Sequence, residues 1–290
     1  MGEGETKETI VSTKKSLDTL VTDIYALFQN PPKHLDEVAL DEFLGTIRAS
    51  IIDAFTEKDK TFYLRPSNYG KPCARSLWYG KHSTKPHEPL SSPTLIKFLY
   101  GHILEALVIF LSKQAGHEVT HLQKRVEHKG LKGSLDCYID GVLVDVKSAS
   151  SFSFEKFAKG ELAERDSFGY LPQIAFYAKA EGVKDTAFVA IDKTLGKICV
   201  YKPEKLPSVD DRIDYLKEAL LDGDEPPPKA FTDIPDGKSG NRKLGVECSY
   251  CGYKTTCWPK VRTFLYASGP RFLNYVAKTP NVMEALNNDG

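Results

Sequence analysis

Acidic residues and a lysine near the middle of the chain have the types and spacing of a metal-assisted hydrolytic site. In "GSLDCYIDGVLVDVKSAS", residues 133–150, Asp140-Gly141 lies between two apolar-alternating runs. An Asp-Gly pair there signals a two-residue type I′ hairpin turn, which fixes the residues that face each other across the ladder. Ile139 then faces Val142, Cys137 faces Val144 and Leu135 faces Val146, giving one apolar face suited to a core. On the other face Asp136 stands opposite Asp145, with Cβ atoms about 5 Å apart, where like charges repel unless something positive lies between them. Lys147 projects from the same side, because alternate residues of a strand share a face. A solvated hairpin would show the same letters, so the pattern gains weight only from what converges on it.

Glu105 lies on a long apolar helical run, with His102 three residues earlier and therefore on the same face. A carboxylate in such a setting is costly unless paired or metal-bound. Glu105, Asp136 and Asp145 would together form an oxygen-rich site for Mg²⁺ or Mn²⁺. His102 suits Mn²⁺ better, and the backbone carbonyl of Val146 would complete the shell. A divalent metal beside a lysine points to phosphodiester hydrolysis, since the metal acidifies a bound water while the ammonium orients it or stabilises the transition state. Gln173 and Tyr177, four apart on a helix, share a face from which they would hold a phosphate or orient Lys147. By itself that pair carries almost nothing.

The cysteines give a second, independent signal. Cys248, Cys251 and Cys257 form a tight C-x2-C-x5-C group that needs a fourth ligand and offers soft donors for zinc or an iron-sulfur cluster. Cys73, in a polar irregular stretch, is the best candidate; Cys137 points into the hairpin core and Cys199 lies in an apolar strand. Six cysteines in a chain of cytosolic character suit metal ligands or buried thiols better than a disulfide framework.

"GHILE", "GSLD", "DVK" and "QIAFY", in this order, resemble the Gly-x-x-x-Glu, Gly-x-x-Asp, (Asp/Glu)-x-Lys and Gln-x-x-x-Tyr motifs of RecB-type nucleases in the PD-(D/E)XK superfamily. The one-plus-three cysteine arrangement is similar to the iron-sulfur branch of that family, which includes CRISPR-adaptation nucleases, AddB-type helicase-nuclease subunits and phage relatives. The likeness spans about residues 61 to 262. It implies that Glu105, Asp136 and Asp145 bind the metal, that Lys147 is the catalytic lysine, and that Gln173 and Tyr177 are the helix motif behind it. His102 varies in role among relatives. It also implies a [4Fe-4S] cluster on Cys73, Cys248, Cys251 and Cys257, with zinc as the alternative. Two departures stand out: Asp145 occupies a position that is Glu in many relatives, and no proline precedes Asp136.

The elements needed to position these residues follow from periodicity. Two amphipathic helices, about 8–30 and 37–57, form an N-terminal appendage, the first carrying Ile10, Leu17, Leu20 and Ile24. Residues 61–92 are irregular, and a mostly buried helix covers 93–114. A strand over 118–127, the hairpin, helices near 151–161 and along "LPQIAFYAKAEG", two strands about Leu195-Gly196 and a helix over 208–222 follow. "DGDEPPPKAFTDIPDGKSGNRKLG" has loop composition. The expected fold is α/β, a restriction-endonuclease-like core with a mixed central sheet flanked by helices. The expected organisation is an appendage over 1–60, a nuclease core over 61–247 and a cysteine segment over 248–290 closing on Cys73.

Lysine plus arginine equals aspartate plus glutamate at 39 each, so any DNA contact must come from a local basic edge. Arg65, Lys71 and Arg75 would supply it, with Tyr69, Trp78 and Tyr79 interleaved to stack on bases. No run approaches a membrane span and no secretory signal is visible, which places the protein in a bacterial or phage-infected cytoplasm. The resulting expectation is a metal-dependent DNA exonuclease acting on single strands or DNA ends in phage-type replication or recombination. It works alone, as a homo-oligomer or with a replication or recombination partner. Lack of a P-loop excludes a helicase motor. A CRISPR spacer-processing nuclease, a site-specific endonuclease and a non-catalytic DNA-binding or scaffold subunit are the rivals.

Overall fold

The computed structural model describes residues 15–57, 61–83, 88, 92–164, 166–221 and 224–285; Ile10 of the first expected helix lies outside them. Helices α1 (Leu20–Gln29) and α2 (Glu37–Ala54) open the described chain. Two short helices, α3 (Pro66–Tyr69) and α4 (Ala74–His82), precede the long α5 (Ser92–Gln114). The strands β1 (Val119–Thr120), β2 (Arg125–His128), β3 (Leu131–Ser134), β4 (Cys137–Ile139) and β5 (Val142–Ala149) follow. After them come α6 (Ser151–Ala158), α7 (Tyr170–Glu181), β6 (Thr186–Asp192), β7 (Ile198–Tyr201) and α8 (Val209–Ala219). The fold is mixed α/β: the central sheet runs β1-β4-β5-β6-β7, with β5 and β6 parallel and the other pairs antiparallel.

Strand alternation divides the interior in two. Val144 and Val146 of β5 face a core closed by α1 and α5, where Leu20, Ile24 and Val108 are fully buried. Leu143 faces the opposite core, made with α3, α4, α6, α7 and α8. The first N-terminal helix thus belongs to the layer covering the sheet, while α2 lies outside it and buries little beyond Ala39.

Where the chain departs from expectation, the cause is local. The strand expected over 118–127 is broken, because His121 and Gln123 take left-handed backbone angles and send the chain into a separate β2–β3 hairpin. The helix expected to be mostly buried is not: within it Ala106, Val108 and Ser112 alone are buried, all in its second half, and Leu95, Ile96, Phe98 and Tyr100 are at least half exposed. By length and composition α5 is also apolar enough to cross a membrane, contrary to the expectation that no run approaches that length. The stretch read as a loop contributes β8 (Ile234–Pro235) and β9 (Arg242–Lys243) to a second sheet. With the helices α9 (Val246–Ser249) and α10 (Lys254–Cys257) between, that sheet continues through β10 (Arg262–Tyr266), β11 (Gly269–Tyr275) and β12 (Glu284–Ala285). Two-residue strands held by ion pairs such as Arg242–Asp233 and Arg271–Asp236 leave no periodicity for a sequence pattern to catch.

Candidate metal-dependent hydrolytic site

The hairpin turn forms as Asp140-Gly141 predicts: φ is 51° and 82°, the two left-handed residues that a type I′ turn needs. Ile139 pairs with Val142 and Cys137 with Val144 as expected. The ladder then opens. Leu135 does not face Val146; it turns into the opposite core, and its N–H donates to Lys124 O instead. Asp136 therefore stands at a fork rather than in a cross-strand pair. Its Oδ2 accepts the Val146 N–H at 2.8 Å, taking the place of the ladder bond that β4 no longer supplies. Beyond the fork, among the described residues, β5 is paired only with β6, through Ala149.

This opening brings the acids together. Asp145 is 1% exposed; its Oδ2 meets the Lys147 ammonium in an ion pair of 2.6 Å, while Oδ1 has no partner among the described residues. Burial, then the charges of Asp145 and Glu105, pushes the Asp136 carboxyl well above the usual range against the pull of Lys147 and the Val146 N–H. Burial and Asp145 likewise push Glu105 up to about 7, opposed by Lys147 and by Gln123, whose amide donates to Glu105 Oε1 at 2.9 Å. Burial works against charge on Lys147, but Asp145 and Asp136 outweigh it and raise its pKa. Lys147 is thus a cation at neutral pH among acids that have too few positive partners.

Helix α7 fixes the lysine. Gln173 Oε1 accepts from Lys147 Nζ at 3.3 Å, and Gln173 Nε2 donates to the Tyr177 hydroxyl at 3.4 Å, so the expected pair does reach the lysine. The ring of Tyr170 lies 5.0 Å from Nζ, a cation-π contact the sequence reading missed although Tyr170 stands three residues before Gln173 on the same face. Gln123 was also missed. Its backbone N–H donates to Asp136 O while its side chain holds Glu105, and this double contact keeps it at φ 49°. No local signal announces such a residue. His102, by contrast, is exposed on α5.

The thiols of Cys73, Cys248, Cys251 and Cys257 are all half-buried and free of disulfides. Burial, together with the charges of the others, raises Cys248, which reaches about 11, Cys251 and Cys257. The Trp258 indole at Cys248, the Tyr253 backbone N–H at Cys251 and the Arg75 guanidinium at Cys257 pull the other way, toward the thiolate. Neighbours that favour the thiolate suit sulfurs bound to a metal or cluster. Among the described residues, no three His, Cys, Asp or Glu side chains are drawn as close together as a bound metal would hold them. The fit to cations therefore rests on the donor chemistry and on the unpartnered Asp145 Oδ1.

The basic edge is only partly as expected. Tyr69 is 0% exposed, and Trp78 and Tyr79 are buried beside it in the core, so none of the three can stack on a base. They serve packing because α3 and α4 lie against α7 and α8. Arg75 is committed to the carbonyl of Pro227 at 2.8 Å and the Tyr79 hydroxyl at 3.2 Å. Arg65 and Lys71 are exposed.

No family model and no curated protein matches this chain. A solved structure described as "Crystal structure of SSO0001" is similar at a TM-score of 0.44 and 15% identity, over 75% of this chain and 96% of that one.

Proposed function

We propose that the protein is a metal-dependent DNA nuclease of the RecB-like type with a restriction-endonuclease-like core, acting on single strands or DNA ends. The observation that carries the reading is the buried Asp145 carboxylate, with one oxygen unpartnered among the described residues and its charge acting on both Asp136 and Glu105. Such a cluster is stable only with protons or a cation present, and the oxygen donors suit Mg²⁺ or Mn²⁺. Asp145, Asp136 and Glu105 would hold the ion. A divalent cation there supplies neutralisation of phosphate charge and a water acidic enough to attack phosphorus.

The chain's own contribution is orientation and fixed charge. Lys147, held by Gln173 and by the Tyr170 ring, presents an ammonium that donates to a phosphate oxygen or to the attacking water. Tyr177, whose phenol burial keeps protonated, holds Gln173 in turn. The four cysteines would carry a structural [4Fe-4S] cluster or zinc that stitches α4 to α9 and α10.

The test is a time course on single-stranded and duplex DNA labelled at either end, with Mg²⁺, Mn²⁺ or EDTA, comparing the natural chain with Asp145→Asn. Degradation that needs the metal and disappears in the variant is expected, and the label retained gives the polarity. Undiminished cleavage by Asp145→Asn would overturn the site assignment. Absence of cleavage by metal-loaded protein would move the reading to a DNA-binding subunit.

A further inference from the structure

We propose that Phe168, Tyr170 and Tyr250 form a stacking step that receives the bases of an unpaired nucleic-acid strand beside the acidic site. The proposal rests on the phosphodiester reading of that site and adds the form of nucleic acid it takes. Three rings lead outward from the lysine. Tyr170 lies 5.0 Å from Lys147 Nζ, Phe168 lies 5.7 Å from Tyr170 at an interplanar angle of 30°, and Tyr250 lies 6.4 Å from Phe168. Phe168 is 43% and Tyr250 59% exposed, so the outer two rings offer apolar area to water beside a charged centre.

The step is mounted rigidly. The Asp166 carboxylate accepts the N–H groups of Gly169, Tyr170 and Leu171, capping α7 where the rings begin. Gly169, at φ 75°, lies so close to Gly70 that a Cβ on it would sit 1.9 Å from the Gly70 carbonyl oxygen. Rings held in this way lose little freedom on binding. Gly70 is followed by the exposed Lys71, which brings a cation for a phosphate next to the contact that holds the rings. The order from acids to rings to cations also decides the strand form. In a duplex the base faces are covered by their neighbours and only edges are open, whereas an unpaired strand offers faces to aromatic rings.

The test uses the full chain in EDTA and a single-stranded oligonucleotide carrying 2-aminopurine, whose emission is quenched when it stacks, with a duplex of the same length for comparison. Quenching on the natural chain is expected. Phe168→Ala and Tyr250→Ala should each weaken unpaired-strand binding by roughly tenfold while leaving duplex binding unchanged. Phe168→Trp should keep both affinity and quenching. Bound but unquenched oligonucleotide, or unchanged affinity in the alanine variants, would overturn the proposal, as would an equal loss on duplex. A parallel Mn²⁺ cleavage assay on the natural chain separates the two ideas. Quenching without cleavage leaves the step and removes the nuclease, while cleavage with the alanine variants binding normally removes the step alone.

Discussion

Asp145 sits on the long, buried β5 and Asp136 just before β4, whereas Cys73 caps α4, Cys248 and Cys257 lie on α9 and α10, each of only four residues, and Cys251 lies in the turn between those two. Such short helices cannot sustain themselves, because nucleation costs more than so few hydrogen bonds return. Their electrostatics differ in the opposite sense. Protonated thiols are neutral and tolerate burial, whereas the carboxylates repel one another inside a fold that holds them regardless. An ion at the fork would therefore serve chemistry more than folding, and one at the cysteines would serve folding more than chemistry.

The sharpest way to break that contrast is Lys147→Ala. Cleavage should fall by at least about a hundredfold, the usual scale for losing a fixed charge aimed at the transition state, with DNA binding retained. Fluorescence anisotropy beside a cleavage assay checks both halves. Next, Cys251→Ser should lose metal, followed by elemental analysis and visible absorbance, and its melting temperature should drop by about 5 °C or more. A variant that melts normally would mean that the thiols staple nothing.

A smaller effect separates the regions by pH. Glu105 titrates at about 7 in the fold and near 4.5 when unfolded, so the folded chain binds its proton more tightly. Stability in EDTA should then fall as pH rises from about 4.5 to 7, with the raised Asp136 carboxyl adding to the fall. Mn²⁺ should reverse the fall, and Glu105→Gln should make it shallower, the remainder belonging to Asp136; thermal melts across that range decide. Smallest of all, Tyr177→Phe removes one long hydrogen bond to Gln173 and should slow cleavage only severalfold, as steady-state rates would show.

Much of the acidic site was legible because a turn dipeptide and strand alternation are local rules. Asp140-Gly141 specified the register, and i,i+4 spacing placed Gln173 and Tyr177 together. The fork was not legible. Nothing near Leu135 says that it will leave the ladder for the opposite core, since that depends on α3 and α7, distant in sequence. The fate of Tyr69 was hidden for the same reason: an aromatic between basic residues looks like a stacking group until a partner such as Phe176, at a ring distance of 5.9 Å, is known to cover it. The second sheet escaped because its outer strands are two residues long and are set by ion pairs.

The parallel pairing of β5 with β6 has a consequence for how the protein is made. An antiparallel hairpin such as β4–β5 closes within its own stretch of chain, but β5 can meet β6 only after α6 and α7 have been synthesised and turned back. Until then one edge of the strand bearing Asp145 and Lys147 is open to water, and their charges cost nothing. The expensive burial is thus deferred until Gln173 and Tyr170 are already on hand to receive the lysine. Non-local pairing of this kind is slow, so in refolding from denaturant the contacts around Lys147 should appear after the hairpin, as the last part of the central sheet to become protected from hydrogen exchange.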